Sequence, residues 1–305
     1  MKKMILMVFS FLLCHGMAGA GQEVMVVQSL SIKPYEATLE GFKSVCRCRH
    51  QRVVLSESPD RDVLKEIRRF RPPVILAIGR DALQRVKGIK RTPIVYVMVL
   101  NPRAVLSGAG NITGVGLSVP PDRQLDALLD AVPGIRSIGL LYDPERTGYL
   151  VREARHAALR KGLSLLTRKI RAAGEAPSLI MGLKGKIDAF WMLPDITVMT
   201  PETLEFLLLF SMENKVPLLA FSEKYLELGA FMSTGIEAFD MGRQAGEIAN
   251  GILSGKSKHP IPQRHARKIV VSTNLMIAGK LGIKLNLAST AGMDEKIVRH
   301  ALTMN

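Results

Sequence analysis

Polar or small residues stand just after several apolar runs of this 305-residue chain, and binding chemistry could take place at these positions. In the first half they are Ser29, the pair Gly79-Arg80, and Asn101. The apolar runs before them are rich in β-branched residues, which predicts buried parallel strands. Because ligands bind at the carboxyl ends of the strands in such sheets, we expect these residues to share one rim around a ligand.

The second half of the chain repeats this pattern. Three further apolar runs are followed by polar residues, namely Asp143, Asp195 and Ser222. An ammonium group needs a carboxylate partner, which Asp143 or Asp195 could supply, and a ligand carboxylate needs donors such as Arg80 or backbone amides. The two rims together suit a small polar ligand, and an α-amino acid would use both kinds of partner.

Aromatic side chains could add stacking contacts to that site. Tyr35 and Phe221 lie close to the predicted rims and are the candidates for stacking against a ligand. Trp191 lies inside a predicted strand, so we expect it in the core.

Alternating strand and helix patterns must position these rims. They run through residues 23–100 and again through residues 121–220, and a strand over 229–235 is expected to cross back. In the first half, Asp81 is the expected cap of a short helix over 82–86. The alternation predicts an α/β protein with two doubly wound halves.

The composition is that of a folded, basic protein. Hydrophobic residues make up 47% of the chain, and its length suits two domains. The formal net charge of +15 would suggest nucleic-acid binding in a cytoplasmic protein. The basic residues are scattered along the chain, so we expect a solvated basic surface, with steering of anionic ligands or attraction to anionic lipid as the lesser alternatives.

The N-terminal residues have the pattern of an export signal. Lys2-Lys3 is a positive start, Met4–Leu13 is an apolar run too short to span a membrane, and Ala18-Gly19-Ala20 provides small residues for cleavage. A lipid anchor at Cys14 is disfavoured, because the large Leu13 stands where a small residue is expected. The sequence therefore predicts a signal peptide over residues 1–20 and a periplasmic protein.

Signatures of catalysis, metal binding and nucleotide binding are weak. The chain has no GxSxG, HExxH or P-loop motif, so we expect no enzyme activity and no cofactor.

Cys46, Cys48 and His50 would make a sparse zinc site. Cysteines two residues apart are expected to remain free thiols, or to pair elsewhere, because a disulfide between them closes a tight ring. The glycines of 107–117 lack dinucleotide-loop spacing and suit a crossing strand.

Four segments resemble a known family in order and in spacing. They are NITGVGL from Asn111, LDALLDAVPGIRSIGLLYDP from Leu125, VPLLAFSEKYLELGAFMSTGIEAFDMGRQAGEIANGILSGK from Val216, and VSTNLMIAGKLGI from Val271. The family is that of the ABC-type substrate-binding proteins related to tryptophan- and phenylalanine-binding proteins. The resemblance covers most of residues 24–283.

The resemblance implies a type 1 periplasmic binding protein, in which two Rossmann-like lobes joined by three hinge segments close on a small ligand. It also implies a monomer that delivers this ligand to an ABC permease. The export pattern and the scattered basic residues argue against nucleic acid as a partner. A ligand-sensing module that acts on a membrane receptor is the alternative. The positions that match the family's ligand-contacting loops are Ser29, Leu30, Gly79, Arg80, Asn101, Asp143, Thr147, Asp195, Thr197 and Ser222, with Thr234 at a hinge.

We expect the following division of the chain. Lobe 1 comprises residues 21–117 and 238–264, and lobe 2 comprises residues 118–237 and 265–285. Residues 286–305 carry no core pattern beyond a helix suggested over 294–302, so we expect a mobile tail.

Overall fold

A computed structural model describes residues 23–46, 48–102, 105–106, 110–257, 260, 262–285 and 294–298. The expected signal peptide therefore lies outside the described residues. Within these ranges, no helix combines the length and the apolar character that crossing a membrane requires.

Strands and helices alternate along the chain. The strands are β1 (Glu23–Gln28), β2 (Arg49–Val54), β3 (Ile75–Ile78), β4 (Ile94–Val99), β5 (Ile112–Gly116), β6 (Ser137–Tyr142), β7 (Ser164–Lys169), β8 (Ala189–Trp191), β9 (Leu218–Ala220), β10 (Met232–Ile236), β11 (Arg264–His265), β12 (Ile269–Asn274) and β13 (Asp294–Val298). The α-helices are α1 (Lys33–Val45), α2 (Val63–Phe70), α3 (Arg80–Val86), α4 (Pro121–Ala131), α5 (Gly148–Arg160), α6 (Ala176–Met181), α7 (Pro201–Asn214), α8 (Lys224–Leu228), α9 (Ala238–Leu253) and α10 (Leu275–Leu281).

Lobe 1 is built on a parallel sheet with the strand order β2-β1-β3-β4-β5, and β11 extends its edge beside β5. Helices α1 and α9 pack on one face of the sheet, and α2 and α3 pack on the other. Because both faces are covered, every residue of β3 and β4 is buried, which explains their continuous apolar sequences.

A close helix contact locks α9 into lobe 1, although α9 follows a strand of lobe 2. A Cβ atom on Gly242 would lie only 1.9 Å from the carbonyl oxygen of Thr38 in α1. Glycine at this position therefore lets the two helix backbones approach each other.

Lobe 2 repeats the topology of lobe 1. Its strand order is β7-β6-β8-β9-β10, and the sheet continues with β12, antiparallel to β10, and then β13. Helices α4, α5 and α10 cover one face, and α6, α7 and α8 cover the other. The prediction of two similar doubly wound halves is confirmed.

The chain crosses between the lobes three times. It leaves lobe 1 after β5, returns after β10 and leaves again after β11. The third crossing is fixed to α9, because the Gln244 side chain donates to the His265 carbonyl (3.1 Å) and accepts from the Arg267 amide (3.1 Å). Arg267 also pairs with Asp240 and Glu247 of α9.

Three local predictions are wrong. Cys46 and Cys48 form a disulfide with a sulfur separation of 2.11 Å; their Cα atoms are 5.3 Å apart, within the usual range for disulfides. The expected helix from Asp294 is strand β13, because β12 offers a free edge with which it pairs. Asp81 does not cap the helix at Ala82, because α3 already begins at Arg80, with Gly79 as its cap residue.

Candidate functional site

A cavity of about 600 Å³ lies where the two lobes meet. Its walls come from both lobes and from the segments that cross after β5 and after β10. The apolar and aromatic residues of the walls include Leu100, Leu117, Val119, Tyr149, Trp191, Leu193, Phe221 and Ile236. Small-molecule sites have this volume range and this mainly apolar lining.

The indole of Trp191 is held in place in the cavity wall. Its Nε1 donates to Oε1 of Gln124 in α4 at 3.0 Å, and only 1% of the residue is exposed. The Gln124 Nε2 donates in turn to the carbonyl of Val119 at 2.8 Å, in the first crossing segment. Trp191 is buried as predicted, but it also faces the cavity.

Thr234 of β10 contributes a polar atom to this lining. The residue is 2% exposed, and its hydroxyl has no hydrogen-bond partner among the described residues. Buried hydroxyls are nearly always hydrogen-bonded. A polar atom of a ligand in the cavity would satisfy the Thr234 hydroxyl.

On the rim of lobe 2, four predicted site residues form one hydrogen-bond network. Asp195 lies at its centre and is 1% exposed. Its Oδ1 accepts from the amide of Thr197 (3.0 Å), and its Oδ2 accepts from the amide of Asp143 (2.8 Å) and from the hydroxyl of Thr147. Because both oxygens are engaged, Asp195 holds the two rim loops together.

Asp143 is the more accessible carboxylate of this network, with 15% of its side chain exposed. The hydroxyl of Thr197 donates to its Oδ2 at 2.8 Å, and the amide of Glu145 donates to its Oδ1 at 3.0 Å. These two hydrogen bonds and the nearby Arg146 guanidinium lower the pKa of Asp143 below its ordinary value. Asp143 is therefore ionised at neutral pH and can accept a hydrogen bond from a cation.

On the rim of lobe 1, Ser29, Tyr35 and Gly79 lie together. Gly79 has a φ of +93°, and a Cβ atom there would lie 2.6 Å from Oγ of Ser29 and 2.7 Å from the hydroxyl of Tyr35. The Ser29 Oγ accepts from the amide of Ala82 at 2.9 Å. Burial and the Asp81 carboxylate raise the pKa of Tyr35. Tyr35 is thus a neutral hydroxyl at the rim.

Besides the stacking candidate Phe221, Thr234 is the one predicted ligand-binding residue that lines the cavity, and the other eleven lie outside its walls. Leu30 and Arg80 are exposed, whereas Asn101 and Ser222 are half-buried. In two cases, the neighbour of the predicted residue lines the cavity: Leu100 stands before Asn101, and Phe221 stands before Ser222.

A β-bulge precedes Leu100. The pairing of β4 with β5 shifts between Tyr96 and Val99, and Met98 between them has a φ of +61°. A bulge bends its strand and redirects the side chains that follow. The bend therefore explains why Leu100, rather than Asn101, borders the cavity.

Sequence reasoning did not identify Gln124, Tyr149 or Ile236. Gln124 and Tyr149 lie within helices, and Ile236 ends a strand with an apolar side chain, so a search for polar residues after strands passes over all three. In the described part of the chain, no three His, Cys, Asp or Glu side chains come together as metal ligands.

Comparison with known proteins identifies relatives of the whole fold. A family model described as "ABC transporter substrate binding protein" matches residues 56–293. A protein of Clostridioides difficile (strain R20291) named tyrosine-binding protein is 25% identical over 198 residues, which cover 62% of this chain. The match spans 57% of that relative's length.

Solved structures agree on the architecture. The ligand-free, open structure of a substrate-binding protein with adhesive properties from Clostridium difficile has a TM-score of 0.74 and 22% identity, covering 91% of this chain and 100% of that one. An ABC domain in complex with L-Trp from Streptococcus pneumonia has a TM-score of 0.60 and 20% identity, covering 91% of this chain and 100% of that one. These likenesses show the fold of a type 1 periplasmic binding protein.

Proposed function

This chain belongs to the ABC transporter substrate-binding protein family, and we propose that it captures an aromatic amino acid between its lobes and delivers it to an ABC permease. The observation that carries the proposal is the cavity between the lobes, in which the buried Thr234 hydroxyl lacks a partner. The names of two relatives, one tyrosine-binding and one solved with L-Trp, support the same class of ligand.

The lining of the cavity favours an aromatic side chain. Trp191 and Phe221 contribute aromatic rings to the cavity walls, and Leu193 and Ile236 contribute aliphatic side chains. Burying an aromatic side chain of the ligand against such a surface supplies most of the binding free energy, because it removes a large apolar area from water.

The polar ends of the ligand need partners at the rims. Asp143 would accept from the ammonium group, because it is ionised and partly accessible. Arg80, exposed on the opposite rim, would pair with the carboxylate when the lobes close. Asp195 would position the loops of lobe 2 without touching the ligand, because it is 1% exposed and both of its oxygens bind those loops.

Capture works by differential affinity. Ligand contacts both lobes only when they close, so binding shifts the equilibrium toward the closed form, which the permease recognises. We place this activity in the periplasm, where the N-terminal export pattern would deliver the chain.

A thermal-shift screen tests the proposal. Ligand at 100 times its Kd raises the free energy of unfolding by about 2.7 kcal/mol. We expect L-tyrosine, L-tryptophan or L-phenylalanine to raise the unfolding temperature, and L-alanine and L-glutamate to leave it unchanged. Stabilisation by none of the three aromatic amino acids would contradict the proposed ligand class.

A further inference from the structure

The pole of lobe 1 that faces away from the cavity carries a cluster of basic side chains. Helices α2 and α3 run back along the parallel sheet, so their C-terminal ends lie at the N-terminal ends of the strands. The cluster consists of Arg68, Arg69, Arg71, Arg85, Lys90 and Arg91, and all six residues are exposed. We call these six residues the basic pole.

Acidic residues are scarce in the two chain segments that carry this charge, although Glu23 begins β1 at the same pole. The sequence from Arg68 to Arg91 contains a single acid, Asp81, which lies in the first turn of α3 at the cavity end. No acid follows between Asp81 and Asp122. Within the described residues, none of the six members of the basic pole takes part in an ion pair. The pole thus presents six positive charges without direct acidic partners in that part of the chain.

Favourable interaction with the helix dipole explains the position of only some of these basic residues. Arg68 and Arg69 lie in the last turn of α2, where positive charge is favourable for the helix dipole. Lys90 and Arg91 lie beyond the end of α3, where that effect has fallen off. Phe70 packs against the apolar core of the lobe, so the pole lacks an aromatic platform there for stacking nucleic-acid bases.

We propose that the basic pole docks lobe 1 onto an anionic membrane surface, where lipid phosphates meet its arginine and lysine side chains. Each Lys or Arg near such a surface raises partitioning about fivefold, and clusters of about four to eight are typical of lipid-binding proteins. Docking by this pole turns the cavity away from the membrane, so the protein must leave this pose to meet the permease.

Vesicle flotation of the full chain tests the proposal. Vesicles that contain phosphatidylglycerol are compared with vesicles of phosphatidylcholine alone, and a pole variant is compared with a control variant that carries the same N-terminal segment, so that any contribution of this segment is common to both variants. The pole variant carries Arg68→Gln, Arg69→Gln and Arg85→Gln. The control carries Arg152→Gln, Lys169→Gln and Lys184→Gln, which remove the same charge from exposed positions of lobe 2.

The wild-type chain is expected to prefer phosphatidylglycerol vesicles, and salt should weaken that preference. The pole variant should lose partitioning by on the order of 100-fold, whereas the control keeps most of it. Circular dichroism checks that both variants are folded. Equal losses in the two variants, or no lipid preference in the wild type, would overturn the proposal. Loss of oligonucleotide binding in a pole variant that keeps its preference for phosphatidylglycerol vesicles would assign the pole to nucleic acid and overturn the proposal as well.

Discussion

Trp191 and Gln124 are joined by a 3.0 Å hydrogen bond between the indole Nε1 and the amide Oε1, although they lie 67 residues apart in the sequence. The same Gln124 side chain donates to Val119 in the first crossing segment. One amide therefore connects the aromatic wall of the cavity to the first segment that crosses between the lobes. If a ligand binds against Trp191 as we propose, this link joins it to that crossing segment.

Replacing Gln124 should loosen that wall. Gln124→Met keeps the side-chain length but leaves the buried indole N–H without its acceptor, which should lower the free energy of unfolding by about 1–3 kcal/mol. Urea denaturation measures the loss. Gln84→Met, at an exposed position of α3, is the control and should have little effect. Equal stability of the two variants would show that the hydrogen bond is unimportant.

Replacing Thr234 should have opposite effects on stability and on binding. Thr234→Val removes a buried hydroxyl without a partner, so the free protein should become more stable, by about 1 kcal/mol. Ligand affinity should fall up to about tenfold, because one hydrogen bond to the ligand is lost. Calorimetric titration with L-tyrosine measures the affinity.

The matched control for Thr234 is Thr113→Val. Thr113 is also a buried strand threonine, but its hydroxyl donates to the carbonyl of Pro262 at 3.2 Å. This variant should lose stability and keep its ligand affinity. The assignment of Thr234 to the ligand fails if Thr234→Val binds as tightly as the wild type.

The pH dependence of binding should reveal Asp143. Its pKa is lowered mainly by the Thr197 hydroxyl, so its charge, and the affinity that depends on it, are lost only as pH falls through that low pKa. Thr197→Val should raise the pKa, and affinity should then begin to fall at a higher pH than in the wild type. Titrations between about pH 7 and pH 3 measure this shift. Asp143→Asn should abolish this pH dependence; identical profiles for all three proteins would contradict the assigned role.

The third crossing segment should depend on Arg267. Its guanidinium pairs with Asp240, whose side chain is 4% exposed, and with Glu247. Arg267→Gln should lower the free energy of unfolding by about 1–2 kcal/mol, because it leaves the buried carboxylate of Asp240 without its charged partner. The loss is limited to this range because the Arg267 side chain is itself partly exposed. Lys43→Gln breaks an exposed pair with Glu40 and should cost no more than about 0.5 kcal/mol. Chemical denaturation compares the two, and equal losses would refute the anchoring role.

The architecture could be predicted because most central strands of the two sheets are compact apolar runs. The runs of β3 and β4 are fully buried and end at the polar residues that mark the rim. Strand β13 could not be predicted, because its sequence DEKIV becomes a strand only by pairing with β12. Tertiary pairing of this kind overrides local propensity.

Part of the candidate site's geometry could be predicted, because polar residues that follow parallel strands gather at one rim of the sheet. Residues after strands were identified by position, and Asp143 and Asp195 do belong to one network. The contact between Gln124 and Trp191 could not be predicted, because it joins a helix to a strand and leaves no local pattern. The bulge at Met98, which also leaves no local pattern, places Leu100 rather than Asn101 in the cavity wall.

The fluorescence of Trp191 reports on ligand capture between the lobes, because Trp191 is the one tryptophan of the sequence and it lines the cavity. The wild-type chain is titrated with L-tyrosine and L-phenylalanine under excitation selective for indole. Ligand capture between the lobes predicts a saturable change in emission with at least one of them, and a weaker apparent affinity in Thr234→Val. Emission that stays constant throughout both titrations of the folded protein would contradict the account.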